Sequence, residues 1–276
     1  LIARYVKNVI EEDVEIKMFK VAAKAMDIFK SWTPDIVGMA QYCWNSELNL
    51  FITMRLKKAN PDCLVVAGGP NLELSPFRRK VFLKERDCID ICVEFDGEIP
   101  FAEIVKRCLS GESVASVKSH PSAGTYSFEL QSGELIQGEQ PPPRLTSLDE
   151  FGAIYTDGLF DEFLDDGFHP FVQTHRGCPY TCTFCHTSDS YYSKMLFQSP
   201  EIFKQDMDYL GRRFTGQSHV ALYIANTNMG QFKQDFEIGR IIRETQKKYD
   251  WPRKIDVNSG KDPKKFGFKK SELLKS

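Results

Sequence analysis

The stretch Phe171-Val-Gln-Thr-His175-Arg-Gly-Cys178-Pro-Tyr-Thr-Cys182-Thr-Phe-Cys185 decides how the rest of the chain is read. Its first five residues have the apolar, partly β-branched character of a short strand. That strand runs directly into a loop bearing three thiols, spaced four and three residues apart. Pro179, Tyr180, Thr181 and Thr183 mark a loop and not a core strand, so three merely packed cysteines are a poor reading. Thiolates converging from one tight loop are soft ligands suited to an iron–sulfur cluster or to zinc. Their number separates the two. Structural zinc wants four protein ligands, whereas three cysteines leave one iron of a cluster open to an exogenous ligand. No fourth cysteine lies nearby, and His186 would have to bend back from its neighbour Cys185 onto the same metal.

Outward from this loop, apolar runs alternate with helical patterns, the order that builds parallel sheets covered by helices. Toward the C-terminus strands are expected at 171–175, 220–224 and 254–257, with helices at 200–214 and 236–249. Phe203, Met207, Leu210 and Phe214 form one apolar stripe, with Ser199 placed to cap the helix before Pro200. Toward the N-terminus strands are expected at 14–18, 35–40, 64–67 and 89–93, and helices near 2–10, 22–32, 48–56 and 101–109. Gln131-Ser-Gly-Glu134 between two apolar segments reads as a small hairpin, and Pro141 to Pro143 stiffen the connection after it. The fold class is α/β: a doubly wound Rossmann-like domain over 1–112, a linker with a hairpin over 113–167, and a second strand-and-helix region over 168–276. Doubly wound sheets normally open with a strand, so the first strand is expected to be missing.

With 276 residues, 42% of them hydrophobic, wholesale disorder is excluded. The 36 basic and 38 acidic residues leave a formal charge of −2. No apolar run approaches the ~18 residues of a membrane span, and the mixed stretch after Leu1 lacks the regions of a signal peptide. Eight unevenly spaced cysteines look unlike a secreted disulfide framework. A soluble, cytoplasmic protein is expected. Cys88 and Cys92 share a four-residue spacing but lie in an apolar strand pattern and read as packing, as do Cys43, Cys63 and Cys108.

The C-x3-C-x2-C spacing, with Phe184 before the last cysteine, resembles the radical S-adenosylmethionine (SAM) enzymes. The resemblance implies that Cys178, Cys182 and Cys185 hold a [4Fe-4S] cluster whose open iron binds SAM, and that cluster reduction cleaves SAM to methionine and a deoxyadenosyl radical. It also implies a (β/α) barrel, here only its N-terminal half, with Phe184 near the adenine. Further SAM contacts would fall at Asn226 and Asn228 after the second strand and at Asn258, Ser259 and Lys261 after the third. Where that family often has Gly-Gly-Glu or Asp-x-Asn, this chain has the two asparagines.

Three earlier pieces, Pro34 to Gln41, Val65 to Pro70 and Phe95 to Phe101, resemble the cobalamin-binding domain that precedes the barrel in one radical SAM subgroup. The implied cobalamin contacts are Gln41, Gly68, Gly69, Gly97 and Glu98. The Asp-x-His-x-x-Gly element that gives cobalt a lower histidine elsewhere is absent, and no histidine precedes His120. Cobalt bound without a protein histidine, a loop lying before Leu1, a lost cofactor and a plain Rossmann-like partner domain are the readings this leaves.

The function implied by the resemblance is a radical SAM enzyme, with cobalamin-dependent methyl transfer to an unactivated carbon or phosphorus. Ring closure or rearrangement is the variant within the family. A small-molecule substrate and an electron donor such as flavodoxin or ferredoxin are the implied partners, with no membrane. Six strand-and-helix units would complete such a barrel, so truncation at both ends, and no activity from this piece alone, are expected. The alternative is a zinc-stabilised nucleic-acid-binding module, because residues 251–276 carry an excess of five positive charges. The slightly negative total charge argues against nucleic acid as a partner.

Overall fold

The computed structural model describes residues 1–72 and 75–259. The chain divides into two compact units, Leu1–Arg144 and Leu145–Ser276.

The first unit is built on one five-stranded sheet. Helices α1 (Ile2–Val9) and α2 (Ala22–Ile28) precede strand β1 (Ile36–Ala40), and α3 (Ser46–Ala59), β2 (Leu64–Gly68), α4 (Pro76–Glu85), β3 (Ile91–Val93) and α5 (Glu98–Leu109) continue the alternation. A short helix α6 (Val114–Ser119) leads into the antiparallel pair β4 (Thr125–Glu129) and β5 (Glu134–Gln137). The strand order is β1-β2-β3-β4-β5, parallel through β3 and antiparallel beyond it. The run from Leu64 to Ala67 is apolar at every position because both faces are covered. Leu64 and Val66 pack with Ile91, Val93, Ile104 and Val117, while Val65 and Ala67 face Leu72, Phe82, Leu83 and Cys92. Gly38 in β1 is a matter of space, since a Cβ there would come within 3.1 Å of the Phe101 ring on α5.

The expected hairpin forms, but it extends this sheet and does not sit in a separate linker, because β4 finds the open edge of β3. The segment 14–18 is not a strand. A strand needs a ladder partner, and this segment has none among the described residues; Val14 and Ile16 instead pack on Val6, Ile10, Ala102 and Val105.

The second unit holds α7 (Asp161–Asp165), β6 (Phe171–Val172), β7 (His175–Arg176), β8 (Leu196–Phe197), α8 (Pro200–Arg213), β9 (Leu222–Met229), α9 (Gln234–Tyr249) and β10 (Ile255–Ser259). Strand β9 lies between β10 and β6, parallel to both. Helices α8 and α9 approach closely at Gly211, where a Cβ would run into the Tyr249 ring. Ser199 makes no side-chain cap on α8; its amide N–H donates to Asp149 Oδ1 at 2.6 Å. Residues 145–167 belong to this unit and not to a linker. The buried Asp206 carboxylate on α8 accepts the amides of Ile154 (3.1 Å) and Tyr155 (2.8 Å), and Leu148 and Phe151 are buried.

Among the described residues no helix is long and apolar enough to cross a membrane. Cys63, Cys88 and Cys92 are packed as expected, but Cys43 is exposed, because its segment is the loop after β1 and not part of a strand.

Asp90, just before β3, is the buried polar tie of the first sheet. Its carboxylate meets Lys57 at 2.5 Å, Lys118 at 3.2 Å and the Val65 amide at 2.8 Å. Removing it strands two ammonium groups and a buried N–H. Asp90→Ala is expected to lower unfolding stability in urea by about 3 kcal/mol. Asp90→Asn, which still offers the Val65 amide an acceptor, should lose distinctly less.

Candidate functional site

In the second unit the three thiols sit on an excursion closed by the two-residue antiparallel pair β7 and β8, with His175 opposite Phe197 and Arg176 opposite Leu196. Gly177 begins the excursion at φ +111°, where a Cβ would come within 2.7 Å of the Tyr192 carbonyl and 2.9 Å of that of Lys194. Only glycine fits there. The Cys178 amide donates to the Tyr192 carbonyl at 2.9 Å, which pins the start of the loop to its end.

The thiols differ in setting. Cys178 is buried, and Asn228 Nδ2 on β9 donates to its Sγ at 3.2 Å. Cys182 is exposed and Cys185 half-buried, with a turn between them in which the Cys185 amide donates to the Cys182 carbonyl at 3.0 Å. The Thr187 hydroxyl lies 3.2 Å from Cys185 Sγ, and its hydrogen bond, with a second from the Thr187 backbone N–H, lowers the Cys185 thiol below the ordinary range. Among the described residues no three His, Cys, Asp or Glu side chains are gathered closely enough to hold a metal ion. Cys178 is buried beside Asn228, and the three sulfurs are not gathered at a common point. His186 turns toward Tyr192, 6.0 Å between ring centroids. Phe184 is 91% exposed.

Asn226 and Asn228 stand within β9 and not in a turn after it. The fully buried Asn226 amide is committed to its own unit: Oδ1 accepts the amides of Thr174 (2.9 Å) and His175 (3.2 Å), and Nδ2 donates to Thr174 Oγ1 (2.7 Å) and Met229 Sδ (3.4 Å). That uses its whole hydrogen-bonding capacity and leaves nothing for a ligand. Asn258 and Ser259 are exposed residues of β10, and Lys261 lies outside the described residues, as does most of the basic C-terminal run.

In the first unit the expected contacts gather at the carboxyl edge of the parallel strands, where open α/β sheets bind ligands. The Gln41 amide donates to the Gly68 carbonyl at 2.6 Å. Gly69, at φ +113°, lies so close to the Gln41 backbone that a Cβ would be 2.9 Å from its carbonyl oxygen. The side-chain oxygen of Gln41 is buried with no hydrogen-bond partner among the described residues. Gly97 and the buried Glu98 open α5 after β3. The preceding Phe95 holds φ +59°, an uncommon conformation for a bulky residue and one that clusters at ligand sites. Beside Gln41, Trp44 is 77% exposed and stacks on Tyr42, 4.7 Å between centroids. A tryptophan this exposed in a strand-end loop is the signal that reasoning from glycines alone overlooks.

Sequence reasoning also passed over His175. Both its ring nitrogens are buried, between Phe197 and Phe232, with no hydrogen-bond partner among the described residues. Asp235 lies 3.7 Å away, but its carboxylate serves the Gly230 and Phe232 amides, so burial prevails and lowers the imidazole from 6.5 to about 4. The unfolded chain takes up a proton below 6.5 that the folded chain refuses until about 4, so stability is lost as pH falls through that window. His175→Phe is expected to reduce the stability lost between pH 7 and pH 5 by about 2 kcal/mol, read from urea midpoints at each pH.

No family model matches the chain. It is 25% identical over 236 residues to 2-(S-pantetheinyl)-carbapenam-3-carboxylate methyltransferase of Streptantibioticus cattleyicolor. To the cobalamin-dependent radical SAM methyltransferase TokK of Streptomyces tokunonensis it is 26% identical over 237 residues. Each alignment covers 83% of this chain and 32% of the relative, so the chain spans about a third of their length. Among solved structures, the cobalamin-dependent radical SAM enzyme OxsB with aqua-cobalamin and SAM bound superposes with a TM-score of 0.65 at 18% identity, covering 92% of this chain and 35% of OxsB. The radical SAM methyltransferase TsrM of Kitasatospora setae, with cobalamin and a [4Fe-4S] cluster bound, gives 0.55 at 15% identity over 81% of this chain and 42% of TsrM. The chain is thus similar in sequence to cobalamin-dependent radical SAM methyltransferases and shares the fold of cobalamin-binding radical SAM enzymes.

Proposed function

We propose that this chain is the cofactor-bearing part of a cobalamin-dependent radical SAM methyltransferase. Residues 168–259 are then the opening strands and helices of a (β/α) barrel, and residues 1–112 the core of the cobalamin domain. The observation that carries the reading is the thiol loop: three cysteines on one short excursion after a parallel strand, the first already anchored by Asn228 and Tyr192. This donor set fits a cluster. Cys178, Cys182 and Cys185 would hold it, with the exposed stretch of the loop drawing the second and third sulfurs toward the first. The similarity to TokK, OxsB and TsrM supports the same assignment. When bound, the cluster supplies the electron that cleaves SAM, and cobalamin supplies a carrier for the methyl group.

The remaining roles fall to the chain's own side chains. Phe184, uncovered by protein, offers its ring to the adenine of SAM. Asn258, Ser259 and Lys261 stay candidates for the polar end of SAM, while Asn226 holds the strand that carries the loop. In the first unit, Gly68 and Gly69 let the backbone approach a flat macrocycle, and the orphaned Gln41 oxygen and the N-terminus of α5 at Gly97 and Glu98 offer it polar contacts. Trp44 adds an aromatic surface. The substrate is a small molecule, and an external donor such as a flavodoxin or ferredoxin supplies the electron. Oxygen-sensitive chemistry of this kind suits the cytoplasm. The similarity to named methyltransferases favours this over a zinc-stabilised nucleic-acid-binding module.

Anaerobic reconstitution of the chain with iron and sulfide should give a brown protein with stoichiometric cluster iron. Cys182→Ala should stay folded and lose most of that iron. Stoichiometric colourless zinc in the purified chain, or unchanged iron in the variant, would sink the ligand assignment. Hydroxocobalamin added to the folded chain should co-elute in gel filtration, and Trp44→Ala should weaken its retention by up to about tenfold, the worth of one aromatic contact. A folded chain that retains no cobalamin removes that cofactor from the reading.

A further inference from the structure

Strand β9 does not run evenly beside β10. Val257 pairs with Ile224, yet Ser259 pairs with Met229, so five residues of β9 span the length of two on its neighbour. The excess bulges between Ile224 and Met229, and a bulge re-aims the side chains it carries. Here it carries Asn226 and Asn228. The first turns into the protein and holds the Thr174 and His175 backbone. The second reaches Cys178, with Nδ2 3.2 Å from Sγ. Toward a thiolate, which only accepts, an asparagine can offer only its amide N–H.

We propose that Asn228 is a positioning residue that sets the reduction potential of the cluster, by donating a hydrogen bond to the sulfur of its anchored ligand Cys178. The inference rests on the reading of the three thiols as cluster ligands. Reduction brings one electron from an external donor into the cluster, makes and breaks no covalent bond, and increases negative charge on iron and on the coordinating sulfurs. An N–H aimed at one of those sulfurs stabilises the reduced state more than the oxidised one and so raises the potential. The Cys182 and Cys185 settings are different. Cys185 has the Thr187 hydroxyl and backbone N–H, both on the loop itself, and Cys182 is exposed. Asn228 is the donor among these that comes from a strand, so its hydrogen bond does not depend on how the loop closes.

The test is a mediated redox titration of the reconstituted full chain, read by the paramagnetic signal of the reduced cluster, with iron content measured on the same samples. Asn228→Leu keeps the size of the side chain and removes the donor; Asn228→Ala removes it without adding apolar bulk. Both variants are expected to bind as much iron as the wild type. At a fixed potential their reduced-to-oxidised ratio should fall about tenfold, equivalent to a midpoint about 59 mV lower for one electron. Full iron with an unchanged midpoint overturns the proposal and leaves the cluster reading standing. Loss of iron from both variants also overturns it, because Asn228 would then serve assembly and not potential. A wild-type chain that takes up no cluster overturns the proposal together with the reading beneath it.

Discussion

One buried amide holds the second unit's site together. Asn226 commits both lone pairs of its oxygen to successive backbone N–H groups, Thr174 and His175, at the point where β6 has ended and β7 begins. A parallel strand that simply stopped would leave those amides unsatisfied in the interior, at a cost of about 1–3 kcal/mol each. By accepting them from the neighbouring strand, Asn226 lets the chain leave the sheet, reverse through the thiol loop and return along β8 without losing its register. The placement of Cys178 depends on this, since the residue follows β7 by a single glycine.

The first unit solves a related problem with different chemistry. Its parallel strands end in loops, and each loop has its own tie. Asn45 and Asn49 both donate to the Ala40 carbonyl at the end of β1. Gly69 packs against the Gln41 backbone after β2. After β3, Glu94 pairs with the buried Arg79, and Asp96 meets Arg144 at 3.2 Å. Three loops are thus tied by polar or close backbone contacts at one edge of the sheet.

Much of this is legible in the sequence. The apolar run at Leu64 to Ala67, the loop residues among the thiols and the turn at Ser132-Gly133 each carry their reason locally, so β2, the thiol loop and the β4–β5 hairpin appear where the pattern puts them. What escapes is relational. Whether 14–18 is a strand depends on a neighbour and not on its own alternating pattern. Strand β9 runs past the point where its apolar residues stop, because four hydrogen bonds that no periodicity reveals offset the burial of Asn226. The helix α4 goes unnoticed because its first turn is basic and Phe77 is exposed, so its apolar side is carried mainly by Phe82 and Leu83. In the site, the motif names the three sulfurs, but spacing cannot tell that they stand in three different environments.

That difference bears on how such a loop would work. A site with three preformed thiolates would hold like charges together before any metal arrived, and mutual repulsion would raise their proton affinity. Here Cys178 is buried beside a neutral amide, Cys185 is half-buried against the Thr187 hydroxyl, and Cys182 is exposed. In the proposed reading, the cost of ordering the loop is then met as the metal binds, so binding free energy and loop folding are one quantity. In that same reading, the end of the excursion pinned at Gly177 and Cys178 would set where the centre forms relative to β9.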